Sequence, residues 1–176
     1  MKFIETPFKG AFVLELERSE DERGFFARIW CKNEFESHGL NSHLSQCSIS
    51  FNKKKGTLRG MHYQVKPYEE AKLVMCTAGA IYDVIIDLRE SSSTFKKWFS
   101  VELTSQNHRM LYVPEGLAHG FFTLEDNSEV FYLISEFYHP ECANGVRWDD
   151  PAFNITWPAG KKIISPKDLK YPVFHL

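Results

Sequence analysis

The chain has no Cys-x-x-Cys pair, no apolar run long enough to cross a bilayer and no net positive charge, and each absence removes a class of function. The four cysteines, Cys31, Cys47, Cys76 and Cys142, stand far apart, so a dithiol redox motif and a thiolate zinc ribbon are both excluded. In a reducing compartment such cysteines are expected to be free thiols. A bilayer span needs roughly 20 consecutive apolar residues, and no stretch approaches that. The segment from Met1 to Gly10 carries Glu5 and Pro7 and lacks a signal-peptide apolar region. A cytoplasmic location is expected, with no membrane partner. Twenty-one Lys and Arg against 23 Asp and Glu give a net charge of −2, which supplies no general field for nucleic acid. Anion binding must then come from a local cluster of Arg and Lys. Internal repeats and low-complexity linkers are also missing, and residues 1–176 are expected to form one domain.

What is plentiful is aromatic side chains and alternation. Fifteen phenylalanines and seven tyrosines suit two facing β-sheets, although they would also fill a helical core. In Ile81–Leu88, Tyr82, Val84, Ile86 and Leu88 fall on one face, and Asp83 and Asp87 fall on the other with Ile81 and Ile85. In Glu129–Tyr138, Val130, Tyr132 and Ile134 share a face against Phe131, Leu133 and Ser135. Further strands are expected at Ala11–Glu17, Phe25–Trp30, Leu44–Phe51, Lys72–Thr77, Trp98–Thr104 and Met110–Val113. Only Lys32–His38 reads as a short helix. Turn residues recur at short intervals, as in a sandwich or barrel. Four prolines after Pro140 (Pro151, Pro158, Pro166 and Pro172) mark an irregular segment laid over the sandwich. Lys53-Lys54-Lys55 reads as the solvated tip of a hairpin.

Two constellations could carry chemistry. In Gly56-Thr57-Leu58-Arg59-Gly60-Met61-His62-Tyr63-Gln64, two glycines bracket an Arg and a His follows. Such glycines permit a turn that presents both side chains. A guanidinium suits phosphate, and an imidazole suits proton transfer near neutral pH. Pro114-Glu115-Gly116-Leu117-Ala118-His119-Gly120-Phe121 matches the second half of the cupin signature. In the first half Gly56 and His62 fit, but Gln64 stands where a second His belongs. A neutral amide is a poor exchange for an imidazole ligand, so the sequence resembles a cupin sandwich without a metal site.

A tighter likeness comes from motifs in order along nearly the whole chain. They are Asp21-Glu22-Arg23-Gly24-Phe25-Phe26, Leu58-Arg59-Gly60-Met61-His62-Tyr63-Gln64, Lys72-Leu73-Val74, Asp83-Val84, Asp87-Leu88-Arg89 and Ser93-Thr94-Phe95 with Trp98. The Pro114–Phe121 motif, Arg147-Trp148-Asp149-Asp150-Pro151, Trp157-Pro158 and Ser165-Pro166-Lys167-Asp168 complete the series. The chain resembles the dTDP-4-dehydrorhamnose 3,5-epimerase family. The resemblance implies an all-β double-stranded β-helix of the cupin or jelly-roll kind, with short helices and an irregular C-terminal segment. It implies inversion of C3, C5 or both in a nucleotide-linked 4-keto-6-deoxyhexose. A ketone at C4 acidifies the hydrogens on C3 and C5, because the resulting carbanion is an enolate. Inversion needs a base on one face, an acid on the other and positive charge near the oxygen. This chemistry requires no redox cofactor and no metal.

The resemblance further implies that His62 is the base, that Asp168 orients it, that Tyr132 is the acid and that Lys72 stabilises the enolate. It places Arg59 and His119 near the sugar, and Gln46, Ser48 and Tyr138 in the pocket. Arg23 and Phe26 would reach a neighbouring subunit's site in a homodimer built by strand exchange. Arg23 and Lys167 would hold the diphosphate. The chain departs from the family pattern at Ser48, where Asn is usual, at Arg28, where Glu is common, and at Met75, where Arg is common. Ser48 has a shorter reach than Asn, and Arg28 reverses a charge near the nucleotide pocket, so both bear on which base is accepted. Three other functions are compatible with parts of the pattern. They are a 3,4-ketoisomerase of the same sugars, a metal-dependent cupin enzyme using His62, Glu69 and His119, and a sugar-binding cupin without turnover.

Overall fold

The computed structural model describes residues 1–174. Strand β1 (Lys2–Glu5) pairs with β2 (Phe12–Glu15), and a two-stranded hairpin of β3 (Arg18–Asp21) and β4 (Gly24–Ala27) follows. Helix α1 (Lys32–Ser37) leads to β5 (Gln46–Asn52), β6 (Thr57–Gln64), β7 (Lys72–Ala78) and β8 (Ala80–Asp87). Next come β9 (Trp98–Thr104), β10 (Met110–Val113), β11 (Leu117–Thr123) and β12 (Ser128–Ile134). The short strands β13 (Ala143–Gly145) and β14 (Ile163–Ile164) and a 3-10 turn at Asp168–Lys170 complete the series. One six-stranded sheet runs β1-β2-β10-β7-β12-β5, and the facing sheet runs β13-β6-β11-β8-β9 with β14 beside β6. Every pairing is antiparallel except β14 with β6. The expected all-β sandwich is what forms.

Alternation explains where each residue goes. Along β8, Ile81 and Ile85 point between the sheets, where they meet Val74, Cys76, Leu111, Phe121 and Val130. Val84 and Ile86 point outward and would face water, but Val146, Phe153, Trp157 and Phe174 of the proline-rich segment cover them. Each such aliphatic side chain contributes roughly 1.5–3 kcal/mol when buried, so the irregular tail is held as core. Trp157 Nε1 donates to the Trp148 carbonyl at 2.8 Å, which satisfies the indole inside this layer. The outer face of the first sheet, with Leu14, Leu73, Tyr112 and Leu133, is closed in part by Phe35 of α1 and by Trp30.

Several expectations change. The strand expected over Glu129–Tyr138 ends at Ile134. There Ser135 takes the Ala71 amide on its hydroxyl at 2.8 Å and gives its own amide to the Ala71 carbonyl at 3.0 Å. These bonds turn the chain, so residues 136–139 leave the sheet. The strand expected over Phe25–Trp30 stops at Ala27, and Arg28 pairs with Glu34 of α1 at 3.3 Å. Lys53-Lys54-Lys55 is solvated, yet it is no hairpin tip, because β5 and β6 lie in different sheets. Arg59 lies within a strand and is not presented from a turn.

Candidate functional site

The site begins with two glycines that let β6 and β11 touch. A Cβ on Gly60 would stand 2.6 Å from Gly120 Cα, and one on Gly120 would stand 2.7 Å from the Arg59 carbonyl oxygen. Gly60 also has φ of +120°, which side-chain-bearing residues rarely adopt. The pairing slips by one residue between His119 and Phe121. His62 and His119 are thereby left directly opposite one another on neighbouring strands. Both line a cavity of about 380 Å³ between the sheets.

Each histidine has its own carboxylate. His62 Nε2 lies 2.8 Å from Asp168 Oδ1, and Asp168 Oδ2 accepts the Gly60 amide at 3.3 Å. Asp168 is buried, whereas the His62 side chain is 40% exposed. Burial pushes the Asp168 carboxyl up, but the hydrogen bond and charge of His62, with the Gly60 and Ser165 contacts, outweigh it and hold the group below its ordinary value. His119 Nε2 lies 2.7 Å from Asp83 Oδ1 in a pair with almost no exposure. Burial pushes Asp83 up, and the opposing pull of His119 and Lys72 does not bring it back. Among the described residues Asp83 Oδ2 has no hydrogen-bond partner.

The opposite wall comes from the first sheet. Tyr132 and Ile134 of β12, Lys72 of β7, and Gln46, Ser48 and Ser50 of β5 line the same cavity. Burial pushes the Tyr132 phenol far up; any negative charge on Asp83 would add to this, and Arg59 opposes it. The Tyr132 ring meets the His119 ring edge-on, with centroids 6.1 Å apart. Lys72 Nζ is 2.7 Å from Glu70 Oε1, and both side chains are mostly enclosed. At the rim, the Gln46 amide oxygen accepts the Tyr138 amide hydrogen at 2.8 Å. Lys167 and Tyr171 close the C-terminal side. The arrangement offers a proton acceptor on one wall, a phenol on the other and an ammonium beside them.

The family model for dTDP-4-dehydrorhamnose 3,5-epimerase matches residues 5–175. A protein of that name from Shigella flexneri is 40% identical over 170 residues, covering 96% of this chain and 93% of its own length. The chain belongs to the dTDP-4-dehydrorhamnose 3,5-epimerase family. The solved structure of the epimerase from Elizabethkingia anophelis NUHP1 is 39% identical, with a TM-score of 0.95 and coverage of 99% of this chain and 96% of that one. The epimerase structure from Bacillus anthracis, with TDP and PPi bound, is 42% identical, with a TM-score of 0.94 and coverage of 98% and 99%.

Of the residues that the resemblance to this epimerase family singled out, the fold gathers His62, Lys72, Tyr132, Gln46, Ser48, His119, Tyr138 and Lys167 around one cavity, with Asp168 behind His62. Arg59 stands outside the lining, exposed, with Nε donating to Asn52 Oδ1 at 2.7 Å. Arg23 and Phe26 lie on the β3–β4 hairpin beside a separate hollow, with Phe26 76% exposed. Glu69 also faces a different cleft, with Lys66 and Arg89. The cavity that holds His62 and His119 therefore does not hold Glu69, the third ligand a metal-dependent cupin would need. Gln64, at the position of a cupin metal ligand, clamps two loops instead. Its amide nitrogen donates to the carbonyls of Tyr68 and Phe137 at 2.8 and 3.1 Å, and its oxygen accepts the His139 amide hydrogen at 2.7 Å.

Sequence reasoning missed Asp83 as the partner of His119, Glu70 as the partner of Lys72, and Tyr171. Asp83 did leave a signal, since it alternates with Ile81 and Ile85 on an otherwise apolar face. Glu70 leaves only its i, i+2 spacing to Lys72. Tyr171 leaves none, because it reaches the site from an irregular segment whose ring packs over Gly145.

Proposed function

We propose that the chain inverts C3, C5 or both in a nucleotide-linked 4-keto-6-deoxyhexose of the dTDP-4-dehydro-6-deoxyglucose kind, with His62 as base and Tyr132 as acid. As a member of its family the chain is an isomerase. The observation that carries the reading is that the His62–Asp168 pair and the Tyr132 phenol belong to different sheets and line one cavity. A sugar ring between the walls has its C–H bonds presented to imidazole on one side and to phenol on the other. His62 takes the proton from carbon, Asp168 supports the imidazolium, and Lys72 stabilises charge on the C4 oxygen. Tyr132 then returns a proton to the opposite face. Each proton-transfer partner contributes roughly 10²–10⁴-fold, and a fixed charge at the oxygen roughly 10²–10³-fold.

The substrate's diphosphate would meet Lys167 at the rim of the cavity, a reading that the TDP and PPi bound to the Bacillus anthracis relative support. A second copy of the chain completes the site. The exposed β3–β4 hairpin supports this, because the Phe26 ring is 76% exposed and the Arg23 guanidinium pairs with Asp21 of the same hairpin, away from the cavity. Ile49 and Phe51, exposed on edge strand β5, would be covered by the same partner.

The test is incubation with dTDP-4-keto-6-deoxyglucose in deuterated water, followed by mass analysis at C3 and C5. Wild type should gain label at these carbons with C4 still a ketone. His62→Ala should lose exchange by several orders of magnitude, and Cys76→Ala should keep it. Equal behaviour of the two variants would show the base to be misassigned, and movement of the ketone would identify a 3,4-ketoisomerase.

A further inference from the structure

We propose that Asp83 and His119 form a relay that returns a proton to Tyr132 after Tyr132 has reprotonated the sugar. The inference rests on the reading of Tyr132 as the acid and on inversion of both C3 and C5. It starts from an asymmetry in access to water. His62 is 40% exposed and can shed its extra proton to solvent. Tyr132 is half-buried on the opposite wall of the cavity, and substrate in the cavity shuts its hydroxyl off from water. Donation leaves a phenolate, which the surroundings of Tyr132 strongly disfavour. A second inversion during one visit of the sugar therefore needs an internal proton source beside Tyr132.

The group next to it is His119, whose ring centroid lies 6.1 Å from that of Tyr132. His119 Nε2 is committed to Asp83 at 2.7 Å. Its Nδ1 makes no hydrogen bond within the chain among the described residues, and the side chain lines the cavity. Asp83 is fully buried, and its Oδ2 has no partner among the described residues. A bare carboxylate oxygen in that position is costly, whereas the carbonyl oxygen of a neutral carboxyl costs much less. Burial drives the Asp83 equilibrium the same way. Asp83 thus stores a proton on Oδ1, against His119 Nε2.

The transfer balances without any other reactant. Tyr132 gives its hydroxyl proton to the enolate carbon and becomes a phenolate. The His119 Nδ1–H bond breaks and the proton forms a new O–H bond on Tyr132. As it leaves, His119 Nε2 takes the proton from Asp83 Oδ1. His119 stays neutral with its tautomer exchanged, and Asp83 is left as carboxylate. When product leaves, water enters the cavity and returns a proton to the pair.

The experiment compares first and later turnovers by rapid quench, with the full chain and dTDP-4-keto-6-deoxyglucose in deuterated water. Wild type should invert carbon at one rate throughout. His119→Gln and Asp83→Asn should each keep a fast first event of about one inverted carbon per site, then slow about 100-fold, the scale of a lost proton-transfer partner. The fast event counts folded sites, so a variant that merely misfolds loses amplitude without changing the ratio of the two phases. If both phases fall together, or neither falls, the relay is wrong. His62→Ala separates this from the reading beneath it. That variant should lose even the first event, and its retention would overturn the assignment of the base while leaving the burst to judge the relay.

Discussion

The two histidine–aspartate pairs use the same side chains at nearly the same separation, 2.8 Å for His62–Asp168 and 2.7 Å for His119–Asp83, yet burial and donor count give them opposite chemistry. Asp168 has donors on both oxygens and sits below its ordinary value. Among the described residues Asp83 has one partner and an orphaned oxygen, and its value is raised. The first pair therefore favours a charged carboxylate beside its imidazole. The second holds its carboxyl towards the neutral form. A dyad's role follows from what surrounds its carboxylate, not from its residue types.

The largest expected difference between the pairs lies in chemistry. His62→Ala should reduce label incorporation by about 10³–10⁴-fold, measured in deuterated water, whereas His119→Ala should still permit a first exchange event. Equal losses would erase the distinction. Asp168→Asn comes next. The amide cannot support an imidazolium, and steady-state inversion should fall about 10²-fold or more, with substrate binding by titration calorimetry little changed.

The smallest effect is on stability, and its sign sharpens the comparison. Asp168 is held low, so its contribution to stability is present above the ordinary carboxylate value and is lost as pH falls through its folded value. Asp83 is held high, so it costs stability increasingly as pH rises from the ordinary value through its folded one. At neutral pH, Asp83→Asn should raise the melting temperature, by about 2–4 °C for each kcal/mol of relieved penalty, and Asp168→Asn should lower it. Calorimetric melts across pH 4–8 check both signs. Changes in the same direction would mean that the two carboxyls share one environment.

Much of this was legible in the chain. The period-two run at β8 gave both of its faces, and the family resemblance pointed to His62, Lys72, Tyr132 and Asp168, which the fold brings to one cavity or directly behind it. The short strands β1, β3, β13 and β14 were not legible. Each has two to four residues and exists because a neighbouring strand pairs with it. The end of β12 was missed because Ser135 stops the strand through bonds to Ala71 and Ser45, which are far away in sequence. The partners Asp83 and Glu70 were missed for a related reason, since a pairing across strands depends on register. Only the slip between His119 and Phe121 brings His119 opposite His62.

On the proposed mechanism, proton removal and proton delivery are separate acts on opposite walls. Tyr132→Phe, assayed for deuterium at C5 of the sugar recovered after incubation in deuterated water, tests this most directly. Label should enter at C5 while the configuration there is retained, because His62 still removes and returns a proton on its own face. Sugar recovered without label, or inverted at the wild-type rate, would contradict it.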